Sequence, residues 1–555
     1  MIGLVVTTAA GRRAAERLEQ VLPGTRSFDV RDLASAWREC DALVCFLATG
    51  ATVRLIAPLL EGKATDPGVV CVDEAHRFAV ALVGGHGGGA NDLARDVARV
   101  LGAEAVVTTA TDAVGLPGLD TLGWPVEGEV AAVSRALLDG EPVRLVADTT
   151  WPLPPLPVGD TGAHVVRVTD VVETVAERTV VLRPPSLVLG LGASRGVTAD
   201  ELEALVDRAL QQAALSPDSV VAAATVDEKA DEQGIVEVCR RRGWALATYP
   251  AARLAAMDVP NPSDAPARAL GTPSVAEAAA LLHGAVSGRT AELVVEKTKS
   301  AMATVAVARR APRGRLALVG LGPGSRDLLT PRAEAELRRA SVWVGLDQYV
   351  DQVRDLARPG TRILETGLGK EEERAHSAVR EAERGHAVAL IGSGDAGVYA
   401  MASPALEVAG DDIDVVGVPG VTAALAASSL LGAPMGHDHA SISLSDLHTP
   451  WPAIEARIRA VAEADLVVTF YNPRSRGRDW QLAKAVSMLL EHRPAGTPVG
   501  VVTDASRPGQ AVHLTTLGEL DVEQVTMLAC VVVGSSQTRM VAGRMVTPRG
   551  YRWMA

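Results

Sequence analysis

Short apolar runs rich in Val, Ala, Leu and Ile alternate with helix-period stretches along almost the whole chain. No other feature of the sequence constrains the fold as much. The alternation is that of α/β domains with largely parallel sheets. "IGLVVTT", "DALVCFLAT", "VVCVDE", "FAVALVGG" and "EAVVTTATD" read as strands in the first 115 residues. The proline-rich "WPLPPLPVGD", Trp151 to Asp160, interrupts the pattern, because successive prolines exclude helix and central strand alike. A second unit opens at "SLVLGLGASRG" and runs to "ATVAVARR" near Arg310. "APRGR", Ala311 to Arg315, marks another boundary, and a last unit follows. The expected domains are therefore 1–150, a linker region 151–185, 186–310 and 316–555. "GLG" follows a strand at both Gly190 and Gly320, but the residues after it differ, so no internal repeat is read.

Composition excludes several function classes. A net charge of −13 speaks against a nucleic-acid partner, which calls for a basic face. The five cysteines, Cys40, Cys45, Cys71, Cys239 and Cys530, form no CxxC pair and have no nearby His at zinc-finger spacing. They read as isolated core thiols, and no metal site is expected. The first residues place an apolar run before basic ones, the reverse of a signal peptide. No apolar run reaches the roughly 18 residues that a membrane span needs. The expected location is cytoplasmic, with no membrane partner.

The stretch "LALVGLGPGSRDLLTPRA", Leu316 to Ala333, ends a strand in three glycines, Gly320, Gly322 and Gly324. A dinucleotide fold would set such glycines against a helix N-terminus to meet a pyrophosphate. Here Ser325 stands at the third glycine position, and Pro323 removes an N–H donor. Thr330 and Pro331 make a good N-cap and first helical residue, so the helix starts late. A nicotinamide oxidoreductase built on the two GLG loops is the alternative these features count against. Four further strand ends carry unusual residues: Gly392 to Asp395, Pro419 to Thr422, Tyr471 with Asn472, and Thr503 with Asp504. Ligands in open α/β sheets sit outside the carboxyl ends of strands, so these loops form a candidate cleft. Ordinary strand-to-helix punctuation is the competing reading for any one of them.

Taken in order, GxGPGxxxLLTxxA, an SGD loop, PGVTA and a strand ending in Tyr-Asn resemble the tetrapyrrole methylase family, a two-lobed fold that uses S-adenosylmethionine. "YNPRSRGRDWQLAKA", "TPVGVVTDASRPGQAVHLTTLGEL" and "GSSQT" are similar to the precorrin-3B C-17 methyltransferases, the ring-contracting enzymes of vitamin B12 biosynthesis. The resemblance covers Leu316 to about Tyr551 and implies a tetrapyrrole substrate and a homodimer formed through the methylase domain. It implies that Pro323 belongs to the cleft floor. It further implies that Ser393, Gly394, Asp395, Val398, Thr422, Ala423 and Tyr471 contact the cofactor. Ala396 departs from the family, which usually has proline there. Methyl transfer from a sulfonium is mostly alignment, whereas ring contraction also needs proton transfers. His437, His439 and Asp446 in "GHDHASISLSDLH" are candidates for these, a solvated polar loop being the alternative.

"FLATGATVRLIAPLL", "VVCVDEAHRFAVALVGGHGGGANDLARDVA", "ATVDEKADEQGIVE" and "LVVEKTKSAMATVAVAR" resemble the cobalt-precorrin-5A hydrolases, over nearly all of residues 1–310. That family opens a lactone and expels acetaldehyde. The glycines from Gly84 to Gly89 around His86 could approach a carboxylate-rich macrocycle by backbone, with Asn91 capping the next helix. The competing reading is a plain glycine-rich turn. His86 is the candidate base and Glu232 the orienting carboxylate. Lys229, Lys297 and Lys299 would pair with carboxylate side chains, or are simply solvated. The family usually has Cys-Arg-Arg-Gly after its GLG turn. This chain has Ala193, Ser194, Arg195 and Gly196, so a non-catalytic corrinoid-binding module is the second reading of this half.

Overall fold

In the computed structural model the described residues are 1–62, 65–85, 87–285, 290–475 and 477–551. Two compact units emerge: residues 1–312 with 358–360, and residues 313–357 with 361–555. The expected α/β class holds in both.

In the N-terminal unit the first sheet runs Thr25–Asp29, Ile2–Val6, Ala42–Cys45, Gly68–Val72, Phe78–Val83, Glu104–Val106. All neighbours are parallel except Gly68–Val72 against Phe78–Val83. Strand residues alternate between two cores, as a period of two requires. Leu4, Val6 and Val44 meet helices Ala9–Glu19 and Ala90–Leu101, whereas Val5, Leu43 and Cys45 meet Leu33, Ala36 and Ile56. With both faces covered, the strands read as continuous apolar runs.

A four-stranded sheet follows, in the order Val126–Gly128, Thr179–Leu182, His164–Val168, Val143–Ala147. Two of these strands lie inside 151–185, the stretch expected to be linker. Trp151 to Val158 is irregular, as its prolines dictate, but "HVVRV" and "TVVL" are β-branched and pair in parallel. The proline run is thus an excursion within one sheet, whose strands lie on both sides of residue 150. The third sheet runs Ala245–Tyr249, Val220–Val226, Leu187–Ala193, Ala303–Arg309, Glu292–Lys299, the first three parallel and the last two antiparallel.

The C-terminal unit has two lobes. The first is an all-parallel sheet in the order Arg362–Thr366, Val342–Leu346, Ala387–Gly392, Arg315–Gly320, Asp414–Val418. Thr330 caps the helix Pro331–Arg339 by accepting the Ala333 N–H at 3.1 Å. The second lobe runs His439–Ser443, Val467–Tyr471, Ala529–Val533, Pro498–Thr503, Ala511–Thr516, with only the first pair parallel. A small sheet joins Gly432–Ala433 to the hairpin Arg539–Val541 and Arg544–Val546. Among the described residues no helix is long and apolar enough to cross a membrane.

The two GLG turns exist for different reasons. A methyl carbon built on Gly190 would lie 1.8 Å from the Ala276 carbonyl oxygen, so this glycine admits the helix Ala276–Gly284 onto its strand. Gly320 instead faces the loops described next.

Candidate functional site

Three loops of the first lobe leave the carboxyl ends of Arg315–Gly320, Ala387–Gly392 and Asp414–Val418, and they meet backbone to backbone. Gly322 and Gly394 exchange N–H to carbonyl bonds at 3.0 and 2.8 Å. A methyl carbon on Gly420 would stand 2.1 Å from the Gly394 oxygen, and one on Gly320 would stand 2.7 Å from it. No side chain fits between these loops. Asp395 fastens them further: one carboxylate oxygen accepts the Gly397 N–H at 2.9 Å, the other the Gly420 N–H at 3.1 Å.

The second lobe faces this arrangement through Tyr471, at the end of its strand. The Tyr471 hydroxyl accepts the Ala424 N–H at 2.8 Å and lies 2.6 Å from the Thr422 hydroxyl. It thereby serves the first turn of helix Ala423–Leu431, whose donors have no partner within the helix. Burial pushes the Tyr471 phenol up, against the opposing pull of the Thr422 and Ala424 bonds. The Tyr399 ring packs 5.1 Å from that of Tyr471, and the Tyr399 hydroxyl donates to the Ser441 carbonyl at 2.9 Å. Tyr399, Asn472, Asp504 and Ser506 all hold positive φ, between 48° and 61°. Asn and Asp tolerate this region; for tyrosine it is strained, and such strain gathers at functional sites.

Sequence reasoning stopped at Asp504 and missed Arg507. Its Nε donates to the Pro323 carbonyl at 2.7 Å and its Nη2 to the Ser393 hydroxyl at 2.9 Å. The side chain passes over Gly324, where a methyl carbon would lie 2.5 Å from the Arg507 Cγ. The signal was present in "DASRPG": a cation in a Pro-Gly turn directly after a strand end.

Pro323, Ser393, Gly394, Asp395, Thr422, Ala423 and Tyr471 are thus brought together where the loops of the two lobes meet. Val398 lies on the Asp395 loop and is 36% exposed. The donor set suits S-adenosylmethionine. Its ribose and amino groups call for hydroxyl, carboxylate and carbonyl acceptors, which Ser393, Thr422, Asp395 and Pro323 carry, and Val398 and Ala423 are apolar. The Arg507 charge is already spent on Pro323 and Ser393. It does not suit a dinucleotide, since the loop is separated from the start of its helix at Pro331.

The proton-transfer candidates separate. His439 pairs with Val467 at the amino end of its strand, and Ser443 with Tyr471 at the carboxyl end. At about 3.3 Å per residue, His439 stands about 13 Å back along the strand from the Tyr471 end. His437 precedes it and is exposed, its Nδ1 accepting the Asp438 N–H at 2.9 Å. Parallel pairing therefore removes both histidines from the cleft end of the strand. Asp446 stays near that end. It accepts from Gln481 Nε2 at 3.1 Å and lies 3.9 Å from Arg478, which itself donates to the Asn472 carbonyl at 2.6 Å.

In the N-terminal unit His86 lies outside the described residues. The glycines beside it have a packing purpose: a methyl carbon on Gly68 would meet the Gly88 oxygen at 2.1 Å, and one on Gly88 the Gly68 nitrogen at 2.7 Å. Asn91 does not cap the helix, whose N-cap is Gly89. Its side chain donates instead to Thr109 and Asp112, at 2.8 and 3.0 Å. Glu232 belongs to the third sheet's layer, where it accepts the Gly196 N–H at 2.8 Å and Lys229 Nζ at 3.0 Å. Burial pushes its carboxyl up, but Lys229 and Gly196 outweigh burial and hold it below the usual range. It orients a turn and an ammonium at the wall of a cavity of about 580 Å³, which Ala193, Ser194, Lys297 and Lys299 also line.

The model of the tetrapyrrole (corrin/porphyrin) methylases matches residues 315–521. Models of the cobalamin synthesis G C-terminus and N-terminal segment match residues 187–308 and 32–112. A probable cobalt-factor III C(17)-methyltransferase of Salmonella typhimurium (strain LT2) is 48% identical over 239 residues, 42% of this chain and 99% of the relative. The cobalt-factor III methyltransferase of Priestia megaterium is 42% identical over 43% of this chain, which spans 46% of that relative's length. The crystal structure of the methyltransferase CobJ is 35% identical and matches over 42% of this chain and 100% of its own, with a TM-score of 0.41. Matched along nearly the full length of a relative at such identity, the chain belongs to the tetrapyrrole (corrin/porphyrin) methylases and carries before that unit the two segments of the cobalamin synthesis G family.

Proposed function

We propose that the protein acts in cobalamin biosynthesis. Its C-terminal unit methylates C-17 of precorrin-3B or cobalt-factor III and contracts the ring. Its N-terminal unit opens the lactone of cobalt-precorrin-5A and releases acetaldehyde. The observation that carries the methyltransferase reading is the 48% identity along 99% of a cobalt-factor III C(17)-methyltransferase. When bound, S-adenosylmethionine supplies a methyl group already activated on a sulfonium, so the protein's task is alignment.

The loops that would align it are tied to one another by side-chain hydrogen bonds. Asp395 joins two of them, Arg507 fixes Pro323 and Ser393, and Tyr471 sets Thr422 against the first turn of its helix. Asp446, beside Arg478 and Gln481, is the candidate to move a proton during ring contraction. The proposal includes a homodimer formed through the methylase unit, as the family resemblance implies, and the cytoplasmic location expected from the sequence.

The purified chain, incubated with precorrin-3B or cobalt-factor III and S-adenosylmethionine, is expected to yield a product heavier by one methyl group. Recovery of unmodified substrate would overturn the reading.

A second reading makes the N-terminal unit a corrinoid-binding module without activity. Ala193 and Ser194 favour it, since they line the cavity where the family usually has Cys and Arg. A lactone is an activated ester, however, and a positioned water can open it without a thiol. Wild-type protein given cobalt-precorrin-5A is expected to release acetaldehyde. Release only after Ala193→Cys with Ser194→Arg would favour the module.

A further inference from the structure

We propose that Tyr399 is a positioning residue of the S-adenosylmethionine site: its ring holds Tyr471 against the first turn of helix Ala423–Leu431, and its hydroxyl ties the Asp395 loop to the second lobe. The proposal rests on the methyltransferase reading above.

The first argument is strain. Tyr399 has a φ of 52°, in the left-handed region where a bulky side chain is an outlier. Glycine enters that region without steric cost, and the same loop uses it at Gly394, with φ 66°. A strained residue persists where its surroundings over-determine it. The Tyr399 side chain therefore does something that a glycine at this turn cannot.

The second argument is what that side chain reaches. Its hydroxyl donates to the Ser441 carbonyl at 2.9 Å, on the outermost strand of the second lobe's sheet. Its ring lies 5.1 Å from the Tyr471 ring with the planes at 55°, within the range of aromatic pairs that contribute beyond their buried area. Tyr471 in turn accepts the Ala424 N–H and meets the Thr422 hydroxyl. One side chain of the first lobe thus touches both the edge of the second lobe and the tyrosine that serves the helix start. Core packing does not account for it, since Tyr399 is 53% exposed.

The third argument is the loop beneath. Asp395 fixes one end by accepting from Gly397 and Gly420, and the Ala402 N–H closes the segment on the Ala396 carbonyl at 2.9 Å. At Met401 the support is Arg374, 3% exposed, whose Nη1 donates to the thioether sulfur at 3.6 Å. Its Nε and Nη2 donate to the Thr366 hydroxyl and the Gly367 carbonyl, at 2.9 and 3.0 Å. Burying a guanidinium on neutral acceptors is costly. A loop pinned at both ends transmits the Tyr399 contacts to Asp395 instead of yielding to them.

Isothermal titration of S-adenosylmethionine into the full chain, with melting curves on the same samples without cofactor, tests this. Tyr399→Phe keeps the ring and loses the Ser441 bond, so the Kd should rise about three-fold, the worth of one neutral hydrogen bond. Tyr399→Ala loses both contacts, and the rise should reach about ten-fold. Tyr399→Gly should melt above Tyr399→Ala, because the strain is gone, yet bind no better than it. A purely structural role would make affinity follow the melting temperature. Wild-type affinity in Tyr399→Ala overturns the proposal, and so does affinity recovered together with stability in Tyr399→Gly. Should Tyr399→Ala fail to fold, the Phe and Gly variants carry the test. Methyl transfer by wild type is scored separately with cobalt-factor III. Cofactor binding without a methylated product fails the methyltransferase reading, while the order of the variants still decides the role of Tyr399.

Discussion

The Arg507 guanidinium donates to the Pro323 carbonyl at 2.7 Å, so a side chain of the second lobe fixes the glycine-rich loop of the first. The same guanidinium reaches Ser393 on the neighbouring loop. Both loops are those the family resemblance assigns to the cofactor. Arg507→Ala should weaken S-adenosylmethionine binding by about 1.5–3 kcal/mol, the range for hydrogen bonds to a charged group. Arg507→Lys should recover only part of this, because an ammonium lacks the two-pronged geometry. Isothermal titration of the three proteins checks the order.

Asp395 accepts from Gly397 and Gly420 with separate oxygens, so its first task is to hold two loops together. Asp395→Ala leaves two N–H groups without that partner. A cost of about 1–3 kcal/mol in stability is expected, together with weaker cofactor binding. Asp395→Asn keeps one acceptor and should fall between. Melting curves and titration on the same samples separate the two effects. Lost affinity with an unchanged melt would mean that the carboxylate acts on ligand alone.

Gly420→Ala should be more damaging than its size suggests. The added carbon would meet a backbone oxygen at 2.1 Å, and backbone cannot rotate away as a side chain can. Overpacking of this kind costs about 1–3 kcal/mol or more. A lowered melting temperature and loss of S-adenosylmethionine binding are expected together. Gly417→Ala, where a methyl carbon meets nothing within 4 Å, is the control.

Glu232 gives the N-terminal unit a pH dependence of definite sign. Its carboxyl is held below the ordinary glutamate value of 4.5, so the unfolded chain binds more protons there. Stability then rises with pH. The Glu232 contribution is complete above about 4.5 and is lost as pH falls toward the folded value. Melting temperatures of wild type and Glu232→Gln should differ most at neutral pH and converge below pH 4.5. A gap independent of pH would contradict this.

The α/β class was legible because strands buried on both faces leave continuous Val, Leu and Ala runs that alternate with helix-period stretches. The late helix start at Pro331 was equally plain, since Thr330 and Pro331 act through local geometry. What sequence missed depends on distant partners. The strands His164–Val168 and Thr179–Leu182 hid behind a proline run, because their sheet-mates lie on both sides of it. Asn91 looked like a cap by position, yet Thr109 and Asp112 claim its side chain. His437 and His439 sat in a promising segment, but parallel pairing with Val467–Tyr471 decides which end of a strand faces the cleft. "DASRPG" marks Arg507 as a cation at a strand end, but not its partners, since neither Pro323 nor Ser393 is near it in the chain.

Two register shifts each put one extra residue into the strand Glu292–Lys299 relative to Ala303–Arg309, and the buried Glu277 accepts the Lys297 N–H there. A shorter strand would restore a regular ladder, and an apolar residue in place of Glu277 would then remove a buried charge. Selection for thermostability alone would favour that pair of changes, since buried ionic groups are often outdone by packed apolar ones. The carboxylate and the extra residues are coupled, since Glu277 accepts the Lys297 N–H that the irregular strand frees from its ladder. Among homologues, the length of this strand should therefore change together with the residue at position 277.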